Sequence, residues 1–468
     1  MWHLVLLLVY STGLIALGLW IGRRVRGSGD FFVAGRSLGP GLIFATVLAA
    51  NIGAGSTVGA TGVGFDDGVS AWWWNGSAGI GALLLALWIG PRIWRLAREH
   101  NFYTAGDFLE HRYGREVRGI AAALIWLGTL SILAGQLIGV SAIFETVIGV
   151  PRWVGAVLGG VVMVTYFVAG GLLSSAWVNL VQLVVIVAGF SIAAPLVLAN
   201  AGGWEAIVSS PAAPERFTDP WFSRGMGSGW TFLALLVPAF ITSPGLLQKA
   251  YGASSERAVR VGIGLSAVVL MLFALLPMVL GMAARVRHPD LASPNLALPA
   301  ILVSDLPLGL GALALAAVFS AEVSSADAVL FMLSTSMSQD LYKRFLNPAA
   351  TDLQLLRVAR ATAIVGGLLG IGLATVLPTV VAALGIFYSL LGVTLFFPIV
   401  AGLHSSRAGS GAALASIAAG VGTVALVGVT TGGAGFGYWT PNVLGLIAAA
   451  AAFALGSLLP RKGESAVV

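Results

Sequence analysis

The stretch AANIGAGSTVGATGVG, residues 49–64, puts Gly53, Gly55, Gly59, Gly62 and Gly64 beside the polar side chains of Asn51, Ser56 and Thr57, inside an apolar segment long enough to cross a bilayer. Glycine weakens a helix, and lipid offers no partner to the N–H and C=O groups that a weakened helix frees. Such a stretch survives in a membrane only where it borders a cavity enclosed by protein. A second stretch of the same kind, PAFITSPG at 238–245, carries Pro238, Pro244 and Gly245. Each proline removes one more amide donor.

The rest of the chain gives these two breaks their setting. Of its 468 residues 58% are hydrophobic and 9% charged, and the mean hydropathy is +0.94. That usage excludes an ordinary soluble domain and predicts an all-α polytopic membrane protein. About thirteen segments of roughly 20 apolar residues are expected as transmembrane helices, among them 39–64, 153–170, 178–198, 229–247 and 309–335. The two broken segments are the second and the seventh, five helices apart. Because five is odd, two five-helix units starting there run in opposite directions across the membrane, the pattern of an inverted-repeat transporter with its site near the midplane. The expected organisation is a single transmembrane domain over 1–468. It comprises a peripheral first helix at 1–22, a first repeat at 39–198, a second at 229–402 and two peripheral helices at 409–459.

The net charge of +6 and pI near 9.9 do not point to nucleic acid, because the basic residues follow topology. With the N-terminus outside, 20 of the 25 lysines and arginines fall in cytoplasmic segments, Lys249 among them; Arg152, Arg216, Arg224, Arg285 and Arg287 fall outside. This asymmetry predicts N-out and C-in. The first helix has no basic start, so it is expected to be retained rather than cleaved. There is no cysteine, which excludes disulfides and thiol chemistry.

A third stretch, SAEVSSADAVL at 320–330, sets Glu322 and Asp327 in the apolar run from Leu310 to Leu333. Acids at that depth are costly and are functional candidates. On a helical wheel with Ser324 at zero, Ser320 falls at about −40°, Asp327 at about −60° and Glu322 at about 160°, so the two acids point apart.

Three segments carry a family likeness: FFVAGRSLGPGLIFATVLAANIGAGS at 31–56, FYTAGDFLEHRYG at 102–114 and SAEVSSADAVLFMLSTSMSQDLYKRF at 320–345. By them the chain resembles the sodium:solute symporter family, whose core is a LeuT-type five-plus-five inverted repeat. The resemblance implies a secondary active transporter that couples sodium to a small organic solute by alternating access, with Na+ as the coupling ion. It implies a sodium site made by carbonyls of Ala49, Ile52 and Ala321 and hydroxyls of Ser324 and Ser325. Physical chemistry agrees, since unwound carbonyls beside a half-helix suit a sodium ion, and Ala321, Ser324 and Ser325 share one helix face. Many members of the family have aspartate where this chain has Asn179. Asp327 is then the candidate to supply that charge at a second cation or coupling position, and Glu322 a candidate proton carrier or ion-path residue.

For the solute, the expected lining is Asn51, Ser56, Thr57, Trp74, Asn75, Gln136, Phe240, Thr242, Phe387 and Tyr388, mostly polar groups in apolar spans that need partners. No arginine or lysine lies deep within the expected spans. A solute rich in carboxylates would lack its bidentate partner there, so the expected solute is neutral or zwitterionic. Proton-coupled symport through Glu322 and Asp327 is the alternative mechanism, and a sensor or channel on the same fold the alternative class. Enzyme readings are set aside: GSGD at 27–30 lies in a basic loop, and the five histidines lack zinc-site spacing. The expected partners are Na+, the solute and membrane lipid, with no nucleic acid and the oligomeric state open. The expected location is a bacterial inner membrane.

Overall fold

The computed structural model describes residues 36–221, 228–405 and 407–458, with Val5, Val9, Thr12 and Gly13 before them, and gives backbone alone at 166, 168–180 and 228. The expected first helix at 1–22 therefore falls largely outside the described residues. The described residues are predominantly helical, with no strand among them. Among the described residues ten helices are long and apolar enough to cross a membrane, and three shorter apolar helices accompany them.

Both expected breaks are present. Helix α1, Pro40–Asn51, starts on a proline in its first turn and ends at Ile52, whose φ of −93° and ψ of 90° leave the helical region. A π-helical turn over Gly55–Gly59 follows, and then α2, Ala60–Asp67, which Gly68 stops at φ 67°. Helix α3, Trp72–Leu84, leads through a second π turn into α4, Gly90–Glu99. After α5, Ala105–Tyr113, and α6, Arg115–Ile148, comes α7, Arg152–Asn200. A short α8, Gly203–Val208, precedes the second broken helix. Its halves are α9, Ser228–Ile241, and α10, Pro244–Tyr251. Then follow α11, Glu256–Phe273; α12, Leu275–Arg287; α13, Ala297–Ser304; and α14, Leu308–Thr335, which continues as a π-helical segment to Leu346. Helices α15, Asp352–Val376; α16, Val380–His404; α17, Ser410–Thr430; and α18, Pro441–Leu458, complete the chain.

The helices pair reciprocally. The broken α1 packs on α11, and the broken α9 packs on α3, so the first helix of each half rests on the second helix of the other. Likewise α6 packs on α16, while α14 packs along α7. Exchange of equivalent partners between halves is what an internal two-fold axis produces, and it encloses both breaks at the centre. The glycines of α2 serve this packing. A Cβ on Gly64 would stand 2.7 Å from the Met278 carbonyl oxygen of α12, too close for any larger residue.

The expected reversal between 153–170 and 178–198 follows from the contacts at the two ends of Arg152–Asn200. Arg152 donates to the Leu377 and Pro378 carbonyls, Asn295 donates to the same Pro378 carbonyl, and Asn200 donates to the Asp305 carbonyl, a short helix away from Asn295. Both ends therefore lie on one side of the bundle, and the two apolar stretches, Arg152–Thr165 and Val181–Asn200, are two crossings.

Arg118 ties one end of the bundle together. Its guanidinium meets Asp107 at 2.9 Å, Glu110 at 2.9 Å and Asp340 at 2.7 Å, and Thr104 Oγ1 donates to Asp340 at 2.5 Å. The cluster joins α5, α6 and the segment following α14.

Candidate functional site

The first break exposes backbone groups that would otherwise bond within a helix, and side chains from three other helices take them up. Gln136 of α6 accepts the Ala54 N–H at 2.8 Å. Asn75 of α3 donates to the Ser56 carbonyl at 3.1 Å. Within the break, Ser56 Oγ donates to the Asn51 carbonyl at 2.6 Å and Thr57 Oγ1 reaches the Gly53 carbonyl at 2.9 Å. The third helix is α14. Its Ser324 Oγ stands 2.9 Å from the Ala49 carbonyl oxygen and 3.0 Å from that of Ala321. Its Ser325 Oγ stands 3.0 Å from the Ala50 carbonyl oxygen and 3.4 Å from that of Ala49.

Four of the five expected sodium ligands thus converge across the break: the carbonyls of Ala49 and Ala321 and the hydroxyls of Ser324 and Ser325. Ile52 is fully buried beside them, and its extended conformation releases its carbonyl from the helical direction. The donor set is all oxygen, uncharged and shielded from solvent. It fits a monovalent hard cation, and a serine hydroxyl that now donates to a carbonyl can rotate to offer a lone pair instead. Space is tight. A Cβ on Gly53 would fall on the Ser325 side chain and 2.8 Å from Gln136 Oε1, so only glycine lets α14 approach the break this closely.

Next to this set lies a central cavity. Water-sized spheres can be centred in about 70 Å³ of it, several times the ~10–15 Å³ that one water needs. Of the expected solute residues, Asn51, Ser56, Trp74, Asn75, Gln136, Phe240, Phe387 and Tyr388 line it, together with Ser325 of the sodium set. Thr57 and Thr242 do not. Thr57 turns to Glu322 and the Gly53 carbonyl, and Thr242 bonds back to the Pro238 carbonyl at 3.0 Å. Asn51 Nδ2 is buried without a hydrogen-bond partner, so a donor is held ready at the break. Aromatic rings close one side: Tyr388 has its centroid 5.3 Å from Phe240, 5.2 Å from Phe387 and 6.2 Å from Trp74. On the other side Met332 separates the cavity from a smaller one lined by Thr104, Gln248, Ser336 and Asp340.

Neither intramembrane acid lines the cavity. Glu322 is fully buried, accepts from Thr57 Oγ1 at 3.0 Å, and its other oxygen lies where a Cβ on Gly139 would come within 2.8 Å. The wheel separated it from Asp327 correctly. Asp327 is buried too, on a face of α14 turned from the cavity that Ser325, Ala328, Val329 and Met332 present. Asn179 lies in the part of α7 whose side chains are outside the described residues.

A cavity residue that sequence reasoning missed is Lys249. The expected span ended at 247 and left this lysine in a cytoplasmic loop. Instead α10 continues to Tyr251, and Lys249 is 5% exposed and lines the cavity. The premise that no lysine lies deep in the spans is therefore corrected. The available signal was the spacing from the break: Gly245 and Lys249 are four residues apart, one above the other on one helical face.

The sequence profile of the Sodium:solute symporter family matches residues 31–420. A sodium/glucose cotransporter of Vibrio parahaemolyticus is 25% identical over 394 residues, covering 76% of this chain and 72% of its own. A sodium/pantothenate symporter of Escherichia coli is 27% identical over 413 residues, covering 84% and 82%. Among solved structures, the substrate-bound outward-open state of a Na+-coupled sialic acid symporter superposes with a TM-score of 0.82 over 98% of both chains, at 19% identity, a likeness of fold.

Proposed function

The chain belongs to the sodium:solute symporter family, and we propose that it carries a small organic solute through the central cavity by alternating access, with sodium held between the first break and α14. It is an integral multi-pass membrane transporter and not an enzyme, and its coupling ion is Na+. We place it in a bacterial inner membrane, as its Escherichia coli relative suggests.

One observation carries the reading. The Ser324 hydroxyl lies within hydrogen-bond distance of the Ala49 and Ala321 carbonyls and the Ser325 hydroxyl within that distance of the Ala49 carbonyl, and Ser325 also forms cavity wall. A cation there ties α1 to α14, fixes the break, and so sets Asn51 and Ser56 in one geometry toward the solute. Ion binding and solute binding are then linked, and linkage is reciprocal: whatever factor sodium adds to solute affinity, solute adds to sodium affinity, typically about 5–150-fold.

The test is a sodium titration of thermal stability in purified protein, since a ligand of the folded state raises apparent stability by mass action. Ser325→Ala removes one ligand oxygen without adding bulk. It should shift the sodium midpoint upward by about tenfold, the worth of one charge-assisted contact, and Ser324→Ala should do the same. Wild-type sodium midpoints in both variants would reject this site. They would bring forward proton coupling, for which Glu322 and Asp327 are the available carboxylates.

A further inference from the structure

We propose that the solute carries a single carboxylate, received where the second broken helix restarts, between the first turn of α10 and the Lys249 ammonium. This deepens the transport reading above and rests on it for the identity of the cavity.

Lys249 supplies the first observation. Among the 22 residues that line the cavity it is the one with a formal charge, and no aspartate or glutamate is among them. It is 5% exposed, and no carboxylate among the described residues comes within ion-pair distance of it. Asp327 acts on its charge electrostatically from off the cavity wall, so the wall itself presents a cation with no counter-charge in contact with it. Burying a lone ammonium costs several kcal/mol in effective terms. A protein keeps such a group where a partner of opposite charge arrives.

The start of α10 is the second, independent observation. Its N-cap residue, Ser243, makes no side-chain capping bond, and Pro244 occupies the first turn without an N–H. The amides of Gly245 and Leu246 therefore begin the helix with no acceptor inside it. Ser243 and Gly245 both line the cavity. Gly245 has no side chain to cover its amide, and a Cβ there would meet nothing closer than 3.9 Å, so the approach is open. A helix start of this kind carries partial positive charge and accepts carboxylates. Lys249 follows one turn later on the same face. One carboxylate can thus take an amide at the head of the helix and an ammonium along its side. One lysine fits one carboxylate; a dicarboxylate would leave its second charge against Asn51, Asn75, Gln136 and the aromatic wall, where amide groups are the strongest donors.

The experiment compares matched acids and neutral analogues by thermal shift of the purified full-length protein, with 150 mM-scale sodium and with choline in its place. The probes are pantothenate against panthenol, gluconate against glucose, sialic acid against its methyl ester, and lactate against lactamide. At least one acid should stabilise the wild type in sodium, and its neutral analogue should bind at least about tenfold more weakly, the worth of one charge-assisted hydrogen bond. Lys249→Met should erase that preference, and Lys249→Arg should keep it. A neutral member binding as tightly as its acid, or no acid binding at all, overturns the proposal. So does a Lys249→Met protein that retains acid affinity within twofold. The sodium arm reads separately. A neutral solute that binds only with sodium sinks the carboxylate and keeps symport, whereas an acid that binds equally in choline keeps the carboxylate and sinks sodium coupling.

Discussion

Replacing Gly53 with alanine adds one methyl group at the point where the first break meets α14. The added Cβ would coincide with the Ser325 side chain and stand 2.8 Å from Gln136 Oε1, against the roughly 3.5–4.0 Å at which nonbonded heavy atoms rest. Gln136 would have to retreat by more than about 0.5 Å and Ser325 by more than about 1 Å. Gln136 is held by the Ala54 amide, and Ser325 by the carbonyls of Ala49 and Ala50, so neither can give without loosening the break. Forcing a methyl group into a packed site costs about 1–3 kcal/mol. If sodium binding must restore the wild-type geometry, that cost appears as a rise in the sodium midpoint of about 5–150-fold. The assay is the sodium titration of thermal stability, with Gly372→Ala as control. That glycine of α15 has nothing within 4 Å of its Cβ position, and alanine there should leave the midpoint unchanged and raise stability slightly. A Gly53→Ala protein with a wild-type sodium midpoint would refute the argument that close approach at Gly53 builds the ion site.

Further expectations concern other parts of the molecule. Asp327→Asn should leave the sodium midpoint within about threefold and act instead on the acid preference set by Lys249, because Asp327 stands off the cavity and its charge acts on that lysine; a lost sodium response would instead support the second cation position expected from the sequence. Glu322→Gln replaces a buried carboxyl held by Thr57 with an amide of the same shape and should keep sodium-dependent solute binding, whereas a protein that loses coupling would support proton carriage through Glu322. Arg118→Met strands the carboxylates of Asp107, Glu110 and Asp340, so chemical or thermal unfolding should show a loss of about 3–5 kcal/mol, the cost of breaking a buried pair; an unchanged melting temperature would mean that the cluster does not brace the fold. Single cysteines in this cysteine-free chain should label from the cytoplasm at Arg257 and from outside at Gly433, and the reverse pattern would invert the orientation expected from the arginine distribution.

The sequence made the two breaks legible because glycine and proline alter backbone energetics wherever they occur, independently of neighbours. The serine pair on α14 was legible for a similar reason: positions three and four apart share a helix face in any helix. What a wheel cannot supply is the direction of that face. Asp327 lies near Ser324 by angle, yet the cavity is met by Ser325 and Met332, a choice made by where α3, α6 and α10 pack around α14. Lys249 escaped because hydropathy ends a span at its first charge, while the helix itself ends at Gly252, where the backbone turns. Thr57 and Thr242 show the converse limit. Both are polar and lie at the breaks, but their hydroxyls are taken by backbone or by Glu322 and leave nothing for a solute. The reversal near 170–178 was legible because the apolar run from 153 to 198 is about twice what one crossing needs.

The central claim is that sodium drives the solute across the membrane. It is tested most directly in proteoliposomes of the purified protein, loaded to carry either an inward sodium gradient at equal pH or an inward proton gradient at equal sodium, with uptake of the acid that the thermal-shift panel identifies. The sodium gradient should concentrate the acid inside above its external level, collapse of that gradient should release it, and Ser325→Ala should need more sodium for the same uptake. Accumulation driven by the proton gradient alone, with no response to sodium, would contradict the account.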